Sequence, residues 1–188
     1  RRSLELPEDG RIIGTLGHMR RQKGVDLLME AFSRARLSKT DRLLMVGRFP
    51  EEERRERDRR YAPLIRSGRM LFIDRFLSTS EMASAFLAMD VVAVPYRPFA
   101  GLSSIALRGA LANRYLLGSD FGWIGSMTRL FHLGRTFRAG DLEDLTAQIP
   151  IALDEAISYS PLPAIESLRQ FHAPENFAKH WAAGLRQR

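Results

Sequence analysis

The sequence predicts a doubly wound α/β domain, in which helices cover both faces of a parallel sheet. Three observations carry this prediction. Short, wholly apolar segments recur along the 188-residue chain, which is typical of strands buried on both faces. Each of these segments is followed by an amphipathic or highly charged segment of helical length. Polar or glycine-containing loops follow the apolar segments, and in folds of this kind ligands bind beyond the carboxyl ends of the strands.

The first half of the chain contains three strand–helix pairs. Val25, Leu28 and Phe32 share one face of the first helix. The second helix is acidic at its start and basic at its end, as the helix dipole favours, and Ser78 and Glu81 form a capping box at the start of the third. Strands are predicted over residues 11–17, 42–47 and 69–74. Helices are predicted over residues 24–35, 51–68 and 78–89.

The second half repeats the alternation and ends in helices. Strands are predicted over residues 90–96, 115–120 and 135–140. Helices are predicted over residues 102–112, 123–133, 141–156, 164–172 and 175–185. The helix over residues 141–156 is predicted despite Pro150. The stretch 158–163 resembles a linker. We therefore expect one sheet domain over residues 1–160, with a helical segment over residues 161–188 packed on it.

Composition limits the classes of site. The chain has no cysteine, which excludes disulfides and thiolate metal sites. Its four histidines lack a metal-ligand spacing, so we expect no metal. The net charge of +7 would suit nucleic acid, anionic lipid or a small anionic ligand. However, the arginines of residues 51–60 alternate with acids and lack interleaved aromatic residues, which favours a solvated face and no nucleic-acid binding.

The apolar runs and the first residues of the sequence predict where the protein is located and whether a further domain belongs to it. No run approaches the roughly 18 apolar residues that span a membrane, and the polar start of the sequence lacks a secretory signal. These features predict a cytoplasmic protein, or one peripheral to the inner face of the membrane through its full-length form. Because the sequence does not begin with Met, we expect a piece of a longer protein with a partner domain elsewhere.

Two common nucleotide motifs are absent from the loop after the first strand. The stretch GTLGHMRRQKG lacks the G-x-G-x-x-G spacing of a dinucleotide site. It also lacks a P-loop, because Lys23 is followed by glycine and valine rather than by serine or threonine. A nucleotide site in this chain must therefore have an arrangement different from that of a dinucleotide site or a P-loop.

A series of segments in a fixed order supplies that arrangement. They are GHMRRQKGVDLLMEAF, LLMVG, LFIDRFLSTSEM, AMDVVAVPY, PFAGLSSIALRGALANRYLLGSDFG and AGDLEDLTAQI. Over roughly residues 10–157 the chain resembles the C-terminal, donor-binding domain of GT-B glycosyltransferases of the family 4, or group 1, type. The resemblance implies that a nucleotide-diphosphate sugar is the substrate, that no metal or other cofactor takes part, and that the N-terminal acceptor domain is absent from this chain.

The resemblance also implies a site for the donor diphosphate. Lys23 matches a lysine that contacts the diphosphate, and His18 stands where the family usually has arginine. A solvated surface lysine and a loop-capping histidine are the alternatives. The glycine and serines before the 102–112 helix would let a phosphate approach free backbone N–H groups, or would simply cap the helix. These residues are Gly101, Leu102, Ser103 and Ser104.

The residues expected to contact the sugar and the ribose of the donor depart from the family pattern. Two acids with seven residues between them would serve the sugar and the ribose, but Ala100 and Arg108 occupy their positions. Alanine accepts no hydrogen bond, and arginine only donates, although it can pair with a phosphate. Two functions follow: an active transferase with altered donor recognition, or a degenerate, non-catalytic binding or scaffolding domain. The base region of the resemblance, or ordinary loop charges, comprises Ile73, Asp74, Arg75 and Phe76.

Overall fold

Six parallel strands form one sheet in the order β3-β2-β1-β4-β5-β6. The computed structural model describes residues 1–99, 101–160, 162–173 and 175–176. Helices lie on both faces of the sheet, so the doubly wound, Rossmann-like prediction is confirmed. The strands are β1 (Ile12–Leu16), β2 (Arg42–Val46), β3 (Met70–Ile73), β4 (Val91–Val94), β5 (Tyr115–Ser119) and β6 (Gly134–Phe137).

Eight α-helices accompany the strands in the described ranges. They are α1 (Val25–Arg34), α2 (Glu51–Arg60), α3 (Ala62–Arg66), α4 (Thr79–Ala88), α5 (Ser104–Leu111), α6 (Gly122–Leu130), α7 (Leu142–Glu155) and α8 (Leu162–Phe171). No helix in this part of the chain is both long and apolar enough to cross a membrane.

The strands are buried because both of their faces are apolar. Successive side chains of a strand point to opposite faces, and Ile13 and Ile12 accordingly lie in two separate hydrophobic clusters. The cluster of Ile13 includes apolar residues of α1 and α7, and the cluster of Ile12 includes those of α4, α5 and α6. In the centre of the sheet, Gly14 pairs with Leu44 of β2 on one side and with Val92 of β4 on the other.

One predicted helix was wrong as a single element. The segment 51–68 divides at Tyr61 into α2 and α3. Pro63 lies in the first turn of α3, where a missing N–H costs nothing, whereas inside a continuous helix it would break a hydrogen bond. The other helices and strands within the described residues match their predictions apart from shifts at their ends. Pro150 does lie inside α7.

The C-terminal predictions are tested only in part. α8 confirms a helix over most of residues 164–172. Most of the predicted helix 175–185 lies outside the described residues, and the domain boundary at residue 160 stays a prediction.

The fold gathers four loops at one edge of the sheet. Because all the strands are parallel, the loops after β1, β2, β3 and β4 share the edge at their carboxyl ends. The chain order reverses between β1 and β4, which is where doubly wound sheets form their ligand crevice. This edge is the one on which the predicted site residues lie.

Candidate functional site

Two loops on either side of the chain reversal are bound to each other. The Arg97 guanidinium donates to both carboxylate oxygens of Asp26 at 2.8 Å, and it also donates to the carbonyl of Arg21. The backbone N–H of Arg97 donates to the Gln22 carbonyl at 3.3 Å. Burial acts to raise the pKa of Asp26, but the hydrogen bond and the charge of Arg97 outweigh it and lower the pKa. The loop after β1 is thus fixed to the loop after β4.

Lys23 lies at the junction of these loops. Its ammonium stands 3.9 Å from the centroid of the Tyr96 ring and 5.3 Å from that of Phe99. The side chain is half-buried, and no acid among the described residues pairs with it. Aromatic faces attract a cation but do not neutralise its charge. The ammonium is therefore held in place against two aromatic rings and is not a freely solvated surface group.

The start of α5 lies beside Lys23. Ser103 is buried and its hydroxyl accepts the Ala106 N–H at 3.2 Å, which makes it the N-cap of the helix. The same hydroxyl hydrogen-bonds to the Tyr96 hydroxyl at 3.3 Å, so the helix start and the ring under Lys23 are connected. The capping role of Ser103 is confirmed. Its contact with a ligand stays a prediction.

The neighbouring loop residues lie at the surface. Leu102 and Ser104 are exposed, and Gly101 is half-buried. A Cβ at Gly101 would stand 2.4 Å from the Phe99 ring, so glycine lets the loop pass over that aromatic side chain. Ala100 lies outside the described residues.

A cleft of about 220 Å³ adjoins this junction. Its apolar floor comes from the ends of β1 and β2 and from α4 and α5. Phe76, more than two-thirds exposed, forms one wall, and His18 approaches its edge at 6.3 Å between ring centroids. The lining residues are Leu16, Gly17, His18, Val46, Gly47, Arg48, Arg75, Phe76, Leu77, Met82 and Ile105.

The predicted base region divides between this cleft and the protein framework. Arg75 and Phe76 line the cleft, and Arg75 is paired with Glu81 at 2.6 Å. Asp74 instead accepts the Phe49 N–H at 3.0 Å and faces Arg57 at 3.4 Å. Its carboxylate holds the loop after β2. Asp74 and its neighbour Ile73 do not line the cleft.

Arg108 lies at the rim of the cleft. One of its guanidinium nitrogens is 2.8 Å from the sulfur of Met82, a residue of the cleft wall. Ile105, one helical turn earlier on α5, also lines the cleft. Arg108 is exposed, and no carboxylate of the described residues pairs with it. Arg108, at the position where the resemblance implies an acid, is therefore a cation without a carboxylate partner among the described residues.

A family model described as "Glycosyl transferases group 1" matches residues 10–155 of this chain.

The chain belongs to the group 1 glycosyl transferases.

Solved structures resemble this group 1 domain in fold at low sequence identity. Sucrose-phosphate synthase from Thermosynechococcus elongatus matches with a TM-score of 0.79 at 21% identity, over 100% of this chain and 47% of the synthase chain. Anabaena HepE in complex with UDP-glucose matches with a TM-score of 0.79 at 15% identity, over 100% of this chain and 51% of HepE. No curated protein sequence matches significantly.

A third structure shows what portion of such proteins the chain represents. It is the C-terminal domain of a group 1 family protein, LpcC, from Francisella tularensis, with a TM-score of 0.74 and 14% identity. The match covers 91% of this chain and 89% of that domain. The chain thus spans about half the length of the synthase and of HepE, but nearly all of an excised C-terminal domain.

Four side chains of this group 1 domain's site were missed by the sequence analysis. Tyr96 and Phe99 hold Lys23, Arg97 ties the two loops together, and Arg48 lines the cleft. All four follow closely after β2 or β4. Their position just beyond the carboxyl ends of strands was the available signal, but it does not identify which loop side chains turn inward.

A larger groove, of about 500 Å³, lies between α1 and α2 of this group 1 domain. Its lining contains five carboxylates, among them Asp26, Glu30, Glu53 and Glu56, together with three arginines and several apolar side chains. Burial raises the pKa of Glu53, and the charges of Asp26 and Glu56 raise it further. The carboxylates of this groove outnumber its arginines, whereas the smaller cleft has no carboxylate in its lining, so the smaller cleft is the better candidate for the nucleotide. No group of acids and histidines in the described residues could hold a metal ion.

Proposed function

We propose that this chain is the donor-binding domain of a family 4 glycosyltransferase, which transfers a sugar from a nucleotide-diphosphate sugar to an acceptor. One observation carries the proposal: the unpaired Lys23 ammonium, held by Tyr96 and Phe99 at the chain reversal beside the start of α5. An ammonium and a helix N-terminus together favour an anion at this place. UDP-glucose bound to the similarly folded HepE supports a nucleotide-sugar as the ligand.

The role of these groups in transfer follows from charge. As the bond between sugar and diphosphate breaks, negative charge grows on the leaving diphosphate, and cations placed beforehand at that point lower the barrier. Lys23 supplies one such charge. The first turn of α5 supplies N–H donors that have no partner within the helix, although Ser103 already occupies the N–H of Ala106. We propose that these groups serve without a metal or another cofactor.

The ion pair between Arg97 and Asp26 contributes to ligand binding by fixing the position of Lys23. Lys23 lies between Gln22, whose carbonyl receives the Arg97 N–H, and Gly24, which touches Pro95. The backbone on both sides of Lys23 is thereby fixed to the loop that carries Tyr96. Such preorganisation reduces the entropy lost when a ligand binds.

The alternative function is a degenerate domain that binds or scaffolds without catalysis. The observation that favours it is Arg108, which cannot accept the ribose hydroxyls that the family's acid would accept. A cytoplasmic location and the absence of nucleic-acid binding stay predictions for either function.

Calorimetric titration of Lys23→Ala with UDP and with uridine tests the proposal. We expect UDP binding to weaken about tenfold to a hundredfold, since a charge-assisted hydrogen bond contributes about 1.5–3 kcal/mol. Uridine binding should not change, because the nucleoside carries no phosphate. GDP and ADP are titrated in parallel, because the preference for one base depends on the cleft and not on Lys23.

Lys39→Ala is the matched control. Lys39 is an exposed lysine immediately before β2, at the opposite edge of the sheet, so its removal should change neither affinity. Equal losses for UDP and uridine in Lys23→Ala, or an equal effect of Lys39→Ala, would show that Lys23 does not meet a phosphate.

A further inference from the structure

Four arginines near the cleft and the loop junction fall into two groups. Arg75 pairs with Glu81 and Arg97 pairs with Asp26. Arg48 and Arg108 pair with no carboxylate of the described residues, although both are exposed and close to the cleft. The two guanidinium groups therefore place positive charge beside a cleft whose lining has no carboxylate among the described residues.

Both guanidinium groups contact the walls of the same cleft. The Arg48 guanidinium carbon is 5.6 Å from the centroid of the Phe76 ring. The Arg108 guanidinium touches the sulfur of Met82 at 2.8 Å. Phe76 and Met82 line the cleft, so a ligand there meets one arginine from the loop after β2 and another from α5.

The rest of the lining favours a ligand of a particular chemistry. Among the described residues, the lining contains Arg48, Arg75 and His18 but no carboxylate. The floor is apolar, and the exposed ring of Phe76 offers a face for stacking. A guanidinium pairs with a phosphate through two parallel hydrogen bonds, and it has no acceptor for a hydroxyl. The cleft therefore suits a flat ring that has a phosphate beside it.

We propose that this cleft is a second anion subsite, separate from Lys23, which takes a phosphate group adjacent to a ring packed on Phe76. The proposal rests on the proposed function, because it takes the ligand to be a nucleotide whose diphosphate lies at Lys23. The ligand class is a nucleotide with a phosphate on its ribose. A free phosphate bound beside an ordinary nucleotide is the other source of the same chemistry.

Calorimetry at constant ionic strength tests this subsite. The probes are the 5′-monophosphates and the 3′,5′-bisphosphates of uridine and adenosine. We expect the bisphosphate to bind about tenfold more tightly than the monophosphate for at least one base, as one charge-assisted contact predicts. Arg108→Gln and Arg48→Gln should each reduce this ratio towards one. Thermal unfolding of each variant shows that it folds.

Arg66→Gln is the matched control, since Arg66 is an exposed helical arginine near the opposite edge of the sheet. It should leave the ratio unchanged. In a second arm, inorganic phosphate is titrated into protein saturated with UDP. Binding that Arg108→Gln abolishes would assign the second phosphate to a separate molecule and would also support the subsite.

Two results overturn the proposal: an affinity ratio near one combined with no binding of phosphate to the UDP-saturated protein, or a ratio that Arg66→Gln reduces as much as Arg108→Gln does. Failure of the proposed function is seen elsewhere, because UDP would then bind wild-type protein no better than uridine does. The two failures are therefore distinguishable.

Discussion

Gly24 permits the contact on which the position of Lys23 depends. Its φ is +66°, in the left-handed region, and a Cβ there would stand 1.7 Å from the carbonyl oxygen of Pro95. Gly68 has nearly the same φ, +69°, but nothing lies within 4 Å of its added Cβ. Alanine substitutions at the two glycines therefore separate the cost of left-handed backbone strain from the cost of crowding.

We predict that Gly24→Ala destabilises the domain more than Gly68→Ala does. Left-handed strain alone costs about 1–2 kcal/mol for alanine, and this is the loss expected at Gly68. At Gly24 the loop must also move away from Pro95, so we expect a greater loss of unfolding free energy and weaker UDP binding. Urea unfolding and UDP calorimetry measure both. Equal losses at the two sites would show that close packing of the loops does not matter.

For individual residues, the sequence analysis identified charged side chains but not the contacts that they make. Lys23 was predicted at a phosphate site, and the structure places it at the chain reversal without an acid partner among the described residues. Its aromatic support by Tyr96 and Phe99 was missed, because a contact between two loops depends on the order of the strands. Arg108 was recognised as a departure from the family pattern. Its contact with Met82 depends on how α4 packs against α5, which no local pattern encodes.

Helices whose starts are defined locally were predicted best. The spacing of Ser78 and Glu81 predicted the start of α4, and both hydrogen bonds of the capping box are present. The break between α2 and α3 was missed, because the charged residues 51–60 and the uncharged residues after them were taken as one helix, although Pro63 lies among the latter. The success and the error have one cause: side chain–backbone contacts within one turn can be predicted from sequence, and competition between neighbouring turns cannot.

The capping box of α4 makes stability dependent on pH in the acid range. The hydrogen bond from Arg75, followed by those from Ser78, lowers the pKa of Glu81 from 4.5 to about 2. A depressed folded-state pKa contributes stability that is fully present above the unfolded value and is lost as pH falls towards the folded value. We predict that Glu81→Gln lowers the melting temperature at pH 6 and that its difference from wild type shrinks between pH 4.5 and pH 2. A difference that is independent of pH would contradict the assignment. Glu143→Gln, in the first turn of α7, is the control.

For the whole molecule, the net charge of +7 gives little information until the ion pairs are known. Glu51 pairs with Arg54 and Arg55 on α2, as a solvated face requires, and Arg11 joins Asp41 to Asp154 at the amino edge of the sheet. The parallel sheet, and so the edge that its loops share, followed from the alternation of elements. The location of the unpaired cations did not, because it depends on which acids the fold brings within reach.

The chain spans about half of the length of sucrose-phosphate synthase and of HepE, and its carboxyl edge leaves Phe76, Leu102 and Phe121 exposed. Among the described residues, no second surface faces a donor bound at Lys23 to exclude water or to hold an acceptor.

We therefore predict that residues 1–188 bind UDP in calorimetry but transfer no sugar from UDP-glucose, UDP-galactose or GDP-mannose to a mixture of hydroxyl acceptors. A longer protein that adds an acceptor domain before residue 1 should show transfer, which Lys23→Ala should reduce and Lys39→Ala should not. The assay follows radiolabelled sugar into acceptor, with release of free sugar counted separately as hydrolysis. Transfer by residues 1–188 alone would mean that this edge of the sheet holds the acceptor as well as the donor. Binding without transfer in the longer protein, with all three donors, would instead favour the degenerate domain.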